Sequence, residues 1–375
     1  MFRKDNNLNP PANATTALRK IIHERSPLSF AEFMELCLYH PEHGYYAKEP
    51  KQVGRAGDFF TSVSSGPLFG RLIAEKIASW WREETITGPW RILEPGPNNG
   101  DLARDILTHL QTHHPNVASE LTYVTLDPLP LPRTFQQKAL ASFGAQVQCL
   151  ANTSTLSPLP TFVIANEILD AFPCRVIERR EDGWQELFIT SLDFTHSLIE
   201  TFQRYGGAMP QILLHQNYPI GYRTELRDQP LSFFKTLQDT MTQGRLLFFD
   251  YGFAEAEYYE QQRTRGTLRV YRNHVASENP YTDLGSSDLT AHVDFTSILK
   301  CAQSFGMRVL RFEPQEFFLT RLTMPMVQRG FWQDSWQQNF QTLTHPSHLG
   351  GKFHAFELSW QEQEHDEALA LQRLM

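Results

Sequence analysis

Apolar and polar positions alternate in blocks from residue 89 onward. "WRILEP", "LTYVTLD", "AQVQCL" and "TFVIANEILD" begin as apolar runs of strand length, and the helical patterns "DLARDILTHL" and "RTFQQKALASF" lie between them. Strands that alternate with helices at this spacing are typical of βαβ units and a mainly parallel sheet. The pattern therefore predicts an α/β, Rossmann-like fold with helices on both faces of the sheet.

The chain before residue 89 has a different pattern. "SFAE" is a capping box of Ser29 and Glu32 that predicts a helix ending near Tyr39, and a second predicted helix follows Pro67. Residues 40–66 between them are punctuated by glycine and show no clear periodicity. Loops of that length inside compact proteins are usually functional or mobile. We therefore expect this loop to cover a site.

Three regions are predicted from these patterns. Residues 1–88 form an N-terminal helical region with the covering loop, residues 89–321 form the sheet core with an insertion near 252–291, and residues 322–375 complete the core and add a tail. Within the core, Asp182-Gly183 predicts a hairpin and residues 222–241 read as helical. "KFHAFELSW" is expected to be an edge strand, and the tail a solvated helix.

Composition restricts the class of protein. The chain is 41% apolar and 20% charged, as in soluble globular proteins, and its net charge of -8 argues against a nucleic-acid partner. Its four cysteines are scattered, so we expect neither a disulfide framework nor a metal site. No uninterrupted apolar run approaches membrane-spanning length, and no apolar core of a secretory signal is evident, so we expect a cytosolic protein without membrane insertion. "FWQDSWQQNF" could expose aromatic side chains for a homodimer.

Acidic and amide side chains end several predicted strands, where ligands of open α/β sheets bind. They are Glu94, Asp127, Asn166, Glu167, Asp170 and Asp250. Carboxylates repel phosphate, which disfavours a dinucleotide-dependent oxidoreductase. They suit S-adenosylmethionine, which has two ribose hydroxyls, two cationic groups and no phosphate. We predict that Asp127 accepts the hydroxyls and that Glu94 or Glu167 faces the cations. For any single acid, a capping or solvated role is about equally common.

The turn "EPGPNNG" after the first core strand supports a ligand loop. Gly96 permits close approach of the backbone, and Gly100 allows tight packing of the following helix. Asn98 is among the residues that tolerate a positive φ best, so we expect it to replace a glycine at modest cost. Such turns are common in plain loops, and the motif alone is weakly specific.

Several stretches together resemble the MidA-like methyltransferases, a family that includes a mitochondrial assembly factor of respiratory complex I. The stretches, in chain order, are "YHPEHGYY", "GDFFTSVSSGPLFG", "LEPGPNNGDLARDIL", "ANEILDAFPCRV", "FFDYGF", "GTLRVYRNH" and "SSDLTAHVDFTSI". The resemblance runs from about residue 15 to residue 360.

This resemblance implies a class I S-adenosylmethionine-dependent methyltransferase with an added helical region. It also implies a protein substrate, with arginine as the expected side chain. The cofactor-binding positions that it carries over are Gly57, Asp58, Thr61, Ser62, Glu94, Gly96, Gly100, Asp127, Asn166 and Glu167; the turn itself adds Asn98.

Methyl transfer to an arginine would require carboxylates that orient the guanidinium and accept its proton. Glu167 and Asp170 are the first candidates for this catalytic role, followed by Asp250 and His292. His292 is about as often expected to brace a loop as to act as a base.

The chain departs from the family pattern at some positions. Val63 and Ser64 stand where the family usually has Pro-Glu, Pro95 replaces an apolar residue, and Asp127 replaces a more usual glutamate. A divergent specificity would produce this pattern. So would a non-catalytic assembly or scaffold protein that retains the fold and the cofactor site, which is the alternative hypothesis.

Overall fold

The computed structural model describes residues 12–48, 61–191, 198–272, 275–362 and 368–374. The helices of these residues are α1 (Ala12–Arg25), α2 (Phe30–Tyr39), α3 (Leu68–Glu83), α4 (Asp101–His113), α5 (Pro115–Ala118), α6 (Pro130–Ala139), α7 (Gln211–His215), α8 (Pro230–Gln238), α9 (Glu255–Tyr258), α10 (Phe295–Ser304), α11 (Gln315–Gln328), α12 (Gln337–Thr344) and α13 (Ala368–Leu374). The strands are β1 (Leu28–Ser29), β2 (Trp90–Pro95), β3 (Leu121–Leu126), β4 (Val147–Leu150), β5 (Leu159–Asn166), β6 (Arg175–Arg180), β7 (Gly183–Thr190), β8 (Ile199–Arg204), β9 (Arg223–Leu226), β10 (Met241–Phe253), β11 (Arg269–Arg272), β12 (Val275–Ser277), β13 (Asp288–Thr290), β14 (Val293–Asp294), β15 (Arg308–Pro314) and β16 (Phe353–Trp360).

The largest sheet has the strand order β15-β16-β10-β5-β2-β3-β4, and β14 also pairs with β10. The strands from β10 to β4 pair in parallel, whereas β16 is antiparallel to both β10 and β15. The chain moves outward from β2 to β4 and then returns to β5 on the other side of β2. The strand order therefore reverses between β2 and β5, and the predicted α/β fold is confirmed.

Helices cover both faces of this sheet because its strands are apolar on both sides. Ile92 and Phe162 pack with α3, α4, α11 and α12 on one face. Their neighbours Leu93 and Val163 pack with α8, α10 and α13 on the other. Side chains of a strand point alternately to its two faces, so consecutive apolar residues supply both cores.

A second, antiparallel sheet lies outside the parallel core. It has the order β1-β7-β6-β9, with β8 on β7, and a small sheet of β12-β11-β13 accompanies it. The hairpin predicted at Asp182-Gly183 joins β6 to β7. One apolar cluster contains residues of α1, α2, β6, β7, β11 and β13. The N-terminal helices thus pack on segments inserted after β5 and β10. The division into three regions remains a prediction.

The capping box predicted for α2 is present. The Ser29 Oγ accepts from the Glu32 backbone N–H, and the Glu32 carboxylate accepts from the Ser29 N–H at 2.8 Å. These two contacts satisfy donors that the first helical turn would otherwise leave without partners. Ser29 also belongs to β1, which pairs with β7, so the cap fixes α2 to the second sheet.

Several local predictions are wrong. "KFHAFELSW" is the interior strand β16 rather than an edge strand, and the region predicted as helical near residues 222–241 contains β9 before α8. The aromatic surface predicted at residues 331–340 is contradicted only at Trp336, which is buried with the Arg71 guanidinium 4.6 Å from its ring centroid; Phe331, Trp332 and Phe340 are half-buried. The terminal helix α13 buries Ala370 and Leu374. The apolar surfaces of Trp336, Ala370 and Leu374 are thus covered by other parts of the same chain.

Among the described residues, no helix combines the length and apolar character needed to cross a membrane.

A buried ion network explains why β16 can be interior despite its acidic residue. Glu357 is fully buried, and its carboxylate lies 2.6 Å from the Lys76 Nζ and 2.8 Å from an Arg245 nitrogen. Glu362 pairs with the same arginine at 2.8 Å. Burial alone would raise the pKa of Glu357, but Lys76 and Arg245 outweigh it and lower the pKa to about 2. The network joins α3, β10 and β16.

We expect Glu357→Gln to lower the free energy of unfolding by about 3 kcal/mol at pH 7, because it leaves buried cations partly unpaired. Urea denaturation measures this cost. A lowered folded-state pKa stabilises the protein above the unfolded-state pKa of about 4.5. The difference between wild type and variant should therefore shrink as the pH falls from about 4.5 towards 2. The exposed variant Glu181→Gln should change stability by less than about 0.5 kcal/mol; an equally small effect at Glu357 would contradict the prediction.

Candidate functional site

A large cavity opens where the strand order reverses, beyond the carboxyl ends of β2, β3, β5 and β10. Its volume is about 2140 Å³, compared with about 300–1,000 Å³ for typical small-molecule sites. The predicted site residues that line it are Thr61, Glu94, Gly96, Asn98, Asp127, Asn166, Glu167, Asp170 and His292. The structure therefore brings together residues that are far apart in sequence.

Other predicted residues have different positions. Ser62, Gly100 and Asp250 do not belong to the cavity lining, although Ser62 and Asp250 contact residues that do. Gly57 and Asp58 lie outside the described residues.

The turn after β2 has the backbone conformation that the sequence predicts. Gly96, Asn98 and Gly100 have φ values of 65°, 50° and 89°. Asn98 thus takes the left-handed conformation expected of it, at a position where glycine is normally favoured. At Gly96 a side chain is also excluded by packing, since an added Cβ would lie 2.9 Å from the Ile168 side chain. The turn is therefore closely fitted to the segment after β5.

Glu94 places a carboxyl at the end of β2. It is 3% exposed, and its Oε2 accepts a hydrogen bond from the Tyr123 hydroxyl at 2.7 Å. Burial raises the pKa of Glu94 to about 8, although the contact with Tyr123 lowers it. The residue therefore holds a proton near neutral pH. A cation placed beside it would favour the charged form.

Asp127 directly follows β3, and its carboxylate is oriented by two donors. One oxygen accepts from the Leu129 backbone N–H at 2.9 Å, and the other accepts from the Gln136 side-chain amide at 3.0 Å. The same amide donates to the Asn98 carbonyl at 2.9 Å. Gln136, which sequence reasoning missed, thus joins the β2 turn to the β3 acid. A glutamine within the α6 pattern gave no signal of this role.

The end of β5 carries an unusual backbone conformation. Glu167 has a φ of 54°, which is uncommon for a residue other than glycine, and such strained residues cluster at functional sites. Its carboxyl accepts from the Ser62 backbone N–H and from the Asn166 side chain at 3.1 Å. Burial, and then the neighbouring Asp170, raise the pKa of Glu167 to about 8.

Asn166 leaves an acceptor available in the cavity. Its amide nitrogen donates to Glu167, but its buried Oδ1 receives no hydrogen bond from the described residues. A buried polar atom usually has a partner, so this oxygen is a candidate for contact with a ligand donor.

Asp250 supports the site through the backbone. One carboxylate oxygen accepts from the N–H groups of Leu169 and Asp170 at 2.8 and 3.3 Å, and the other accepts from its neighbour Tyr251 at 2.9 Å. Burial and the nearby Asp170 raise the pKa of Asp250 well above its usual value. These contacts fix the segment after β5 to the end of β10.

Asp170 and Tyr251 form a polar wall of the cavity. Asp170 is buried, and its carboxyl accepts from the Tyr251 hydroxyl. Burial raises its pKa, whereas Tyr251 and Arg227 act in the opposite direction. Tyr251 also meets the His292 ring edge to face, with centroids 4.9 Å apart.

His292 presents a neutral imidazole. Burial, and then neighbouring arginines, lower its pKa to about 4. Its buried Nδ1 has no hydrogen-bond partner among the described residues. Its backbone carbonyl accepts from Arg227 at 2.7 Å, so the residue both borders the cavity and holds a loop.

Arg227 is a second contributor that sequence reasoning missed. Its guanidinium donates to backbone carbonyls of two loops, at Asp170 and Phe172 on one side and Ala291 and His292 on the other. An arginine has five donors in a rigid planar arrangement, which suits this bridging role. It thereby positions the cavity wall without pairing directly with the Asp170 carboxyl.

The motif "YHPEHGYY" contributes aromatic side chains that close the cavity from the N-terminal side. The Tyr39 hydroxyl donates to the Ala171 carbonyl at 3.0 Å, and the Tyr46 hydroxyl donates to the Asp288 carboxylate at 2.9 Å. Both tyrosines line the cavity. The N-terminal region therefore completes a site whose other walls belong to the sheet.

The residues present fit S-adenosylmethionine, the cofactor that the sequence predicts. Asp127 offers an acidic acceptor suited to ribose hydroxyls, and Glu94 and Glu167 offer carboxyls suited to cationic groups. The free Oδ1 of Asn166 adds an acceptor, and the turn at Gly96 and Asn98 brings the backbone to the cavity. A diphosphate would meet these same acids unfavourably.

We expect Glu94→Gln to stabilise the protein without cofactor at high pH. The pKa of Glu94 is about 8 when folded and about 4.5 when unfolded, so stability is lost as the pH rises through this range. The amide removes that loss, which could reach about 4 kcal/mol at pH 9. Urea denaturation at pH 5.5 and pH 9 tests this, with Glu181→Gln as the exposed control. An equal effect at both pH values would contradict the pKa assignment.

Comparisons with known proteins identify the family. The family described as "Putative S-adenosyl-L-methionine-dependent methyltransferase" matches residues 72–313. "Protein arginine methyltransferase NDUFAF7 homolog, mitochondrial" from Drosophila melanogaster is 28% identical over 318 residues, covering 77% of this chain and 70% of that protein. The Homo sapiens protein named "Protein arginine methyltransferase NDUFAF7, mitochondrial" is 24% identical over 388 residues, covering 93% and 85% of the two chains.

A solved structure agrees over almost the whole chain. A Burkholderia thailandensis protein, crystallised as a "likely methyl transferase" bound to S-adenosyl-homocysteine, superposes with a TM-score of 0.81 at 26% identity. The match covers 96% of this chain and 97% of the other. The resemblance to MidA-like methyltransferases and the predicted class I fold are confirmed.

The predicted cytosolic location is contradicted, because the matching relatives are named as mitochondrial proteins.

The family match covers well over half of the chain, and the fold agrees with it. The chain therefore belongs to this family of S-adenosyl-L-methionine-dependent methyltransferases.

Proposed function

We propose that the protein methylates an arginine side chain of a protein, with Glu167 and Asp170 at the acceptor. The relatives named as protein arginine methyltransferases support this substrate class. The observation that carries the proposal is a pair of adjacent carboxyls in the cavity, with Glu167 forming no ion pair among the described residues. A guanidinium is the protein cation whose planar donors match such carboxyls best.

The acids have an energetic reason to accept a cation. Burial holds the pKa values of Glu167 and Asp170 above their usual range, and the neighbouring Asp170 raises that of Glu167 further. A neighbouring cation lowers a carboxyl pKa and favours its charged form. Binding of an arginine would therefore be coupled to ionisation of this pair, and each charged hydrogen bond would hold the guanidinium in a defined orientation.

The chemical roles follow from these positions. S-adenosylmethionine supplies an electrophilic methyl group on its sulfonium. Glu167 orients the acceptor nitrogen, and either Glu167 or Asp170 takes the proton that methylation releases. The Nδ1 of His292 is a second proton acceptor, since the imidazole is neutral above pH 4. Asp250 acts as a positioning residue because its oxygens already accept backbone N–H groups.

The cofactor side of the site uses the remaining predicted residues. Asp127 binds the ribose hydroxyls of the cofactor. The turn with Gly96, Asn98 and Gly100 brings the backbone close to the cofactor. Glu94 and Asn166 bind its amino-acid end. Thr61 and Ser62 act from the adjoining segment, where the Ser62 N–H holds Glu167. Gly57 and Asp58 retain the binding role that the family resemblance implies.

The cavity size supports a macromolecular acceptor. Its volume of about 2140 Å³ exceeds a typical small-molecule site by at least about twofold, which leaves room beside a cofactor for an extended side chain and its peptide. Self-association receives no support from the segment "FWQDSWQQNF", whose Trp336 is buried.

The scaffold alternative rests on Asn98, which replaces a glycine of the family, and on Val63 and Ser64, which replace Pro-Glu; all three line the cavity. The change from Pro-Glu removes one carboxyl from the site, but Glu167 and Asp170 remain. Methyl transfer by wild-type protein decides between the hypotheses: a scaffold would bind cofactor without labelling any protein.

We expect Asp127→Asn to weaken binding of S-adenosyl-homocysteine about tenfold, because a neutral acceptor replaces a charged one. Isothermal calorimetry measures the dissociation constant. The exposed variant Asp182→Asn should bind like wild type. Unchanged affinity in a folded Asp127→Asn protein would remove Asp127 from the cofactor site.

We expect Glu167→Gln and Asp170→Asn each to lower methyl transfer by about 100-fold, as expected for loss of orientation and of a proton acceptor. The assay uses radiolabelled S-adenosylmethionine and lysate from cells that lack the protein, followed by hydrolysis and detection of methylarginine.

Controls separate this role from folding and from cofactor binding. Binding of S-adenosyl-homocysteine, which lacks the sulfonium charge, should change by less than about tenfold in both variants. Glu181→Gln should retain full activity. Wild-type label on a residue other than arginine would overturn the substrate assignment, whereas equal labelling by Glu167→Gln would overturn its catalytic role.

A further inference from the structure

A cluster of metal-ligating side chains lies on the opposite end of α4 from the cofactor turn. Glu75 of α3, His109 of α4 and His114, which follows α4, are 3%, 3% and 8% exposed. The same oxygen, Glu75 Oε1, lies 2.8 Å from the Nε2 atoms of both histidines. One ligand atom from each residue lies within 4.8 Å of the others. The described lining of the methyl-transfer cavity contains none of the three.

Local packing explains the convergence. α3 and α4 approach closely at Gly70, where an added Cβ would lie 2.6 Å from the Asp105 side chain. Glu75 is five residues beyond that point on α3, and His109 is four residues beyond Asp105 on α4. The chain then turns at His114 and directs a second imidazole to the same carboxylate.

We propose that Glu75, His109 and His114 bind a divalent transition-metal ion, with zinc as the preferred candidate. Two imidazole nitrogens and one carboxylate oxygen form a known zinc ligand set that leaves a fourth position for water. Imidazole ligands also suit nickel, copper and iron, whereas the hard ions calcium and magnesium prefer oxygen. The burial of all three residues limits competition from solvent.

Binding requires shifts of all three side chains, because the two Nε2–Oε1 contacts must lengthen and the imidazole nitrogens, now within 4.8 Å of each other, must take neighbouring positions around the ion. Neighbouring ligands of a tetrahedral zinc ion, with bonds of about 2.0–2.1 Å, lie about 3.3 Å apart. The Nε2 and Oε1 atoms must therefore separate by about 0.5 Å from their present 2.8 Å contacts. Each imidazole must carry its proton on Nδ1, so that the Nε2 lone pair faces the ion.

Arg329 competes with a metal ion for the carboxylate. Its guanidinium lies 3.2 Å from Glu75 Oε2, and its side chain is 41% exposed. The arginine can therefore move into solvent when an ion binds, but its charge opposes that of the ion at close range. Removal of Arg329 should accordingly strengthen metal binding.

The bound ion would join α3 to the C-terminal end of α4. The N-terminal end of that helix directly follows the cofactor turn, yet the metal ligands are outside the catalytic cavity. We therefore assign the ion a structural role that stabilises the helix pair. The expectation that the chain has no metal site relied on its cysteines and overlooked the run His109, His113, His114.

Zinc chloride added to untagged, chelator-treated wild-type protein provides the first test. We expect one equivalent to bind in calorimetry with a dissociation constant below about 1 μM, and the thermal midpoint to rise with zinc concentration. Cobalt should produce the visible absorption of a four-coordinate site. Absence of saturable binding with one-to-one stoichiometry would overturn the proposal, and the cluster would then be a hydrogen-bonded ion network.

Variants locate the site. His114→Gln and Glu75→Gln should weaken zinc binding at least 100-fold, whereas the exposed His345→Gln should leave it unchanged. Arg329→Gln should tighten binding about tenfold, and this variant keeps every ligand if the others fail to fold. Unchanged affinity in a folded His114→Gln protein, or weaker affinity in Arg329→Gln, would contradict the assignment.

Discussion

The Asp250 carboxylate holds the end of β10 to the segment after β5, and the cavity wall formed by Asp170 and Tyr251 depends on this contact. Its oxygens accept the N–H groups of Leu169, Asp170 and Tyr251. A carboxylate can satisfy several donors that a tight turn would otherwise leave buried and unpaired. The turn can then leave β5 with Glu167 at a positive φ, which directs the chain into the cavity region. A strained residue persists only where its surroundings fix it in this way.

This arrangement places several buried carboxyls with raised pKa values close together. Asp170 raises the pKa of both Glu167 and Asp250, and Glu167 also raises the pKa of Asp250. Arg227 lies nearby, but its hydrogen bonds go to backbone carbonyls, so it braces the loops rather than saturating the acids. The site therefore retains carboxyls that a cationic cofactor or acceptor can ionise. Asp250 and Arg227 thus support the backbone, whereas Glu167 forms no ion pair among the described residues.

Local signals predicted much of the fold and the ligand turn. The strand β2 and the capping box at Ser29 depend on nearby residues, and the left-handed conformation of Asn98 follows from its own side-chain chemistry. Those features could be read from short windows of sequence. The same is true of Asp127, because a parallel strand places its last residue at the binding edge.

Other features depend on partners distant in sequence. The segment that contains Glu357 is predicted to be an edge strand, but Lys76 and Arg245 pair with this carboxylate inside the sheet. Likewise, the sequence around Gln136 gave no indication that its amide would meet both Asp127 and the Asn98 carbonyl. A buried charge or amide can be judged only with its partner present. Pattern alone therefore misplaced the strand and missed the contact.

The contacts around Val63 and Ser64 show what these departures from the family pattern change in the cavity. The Ser64 side chain caps its own short turn at Thr61, while the backbone of Ser62 holds Glu167. A backbone N–H is available whichever side chains follow, so these substitutions preserve the support of Glu167. What they remove is a carboxyl at the cavity wall. Glu167 and Asp170 remain in the cavity, so the substitutions change the composition of its wall while the support of Glu167 is kept.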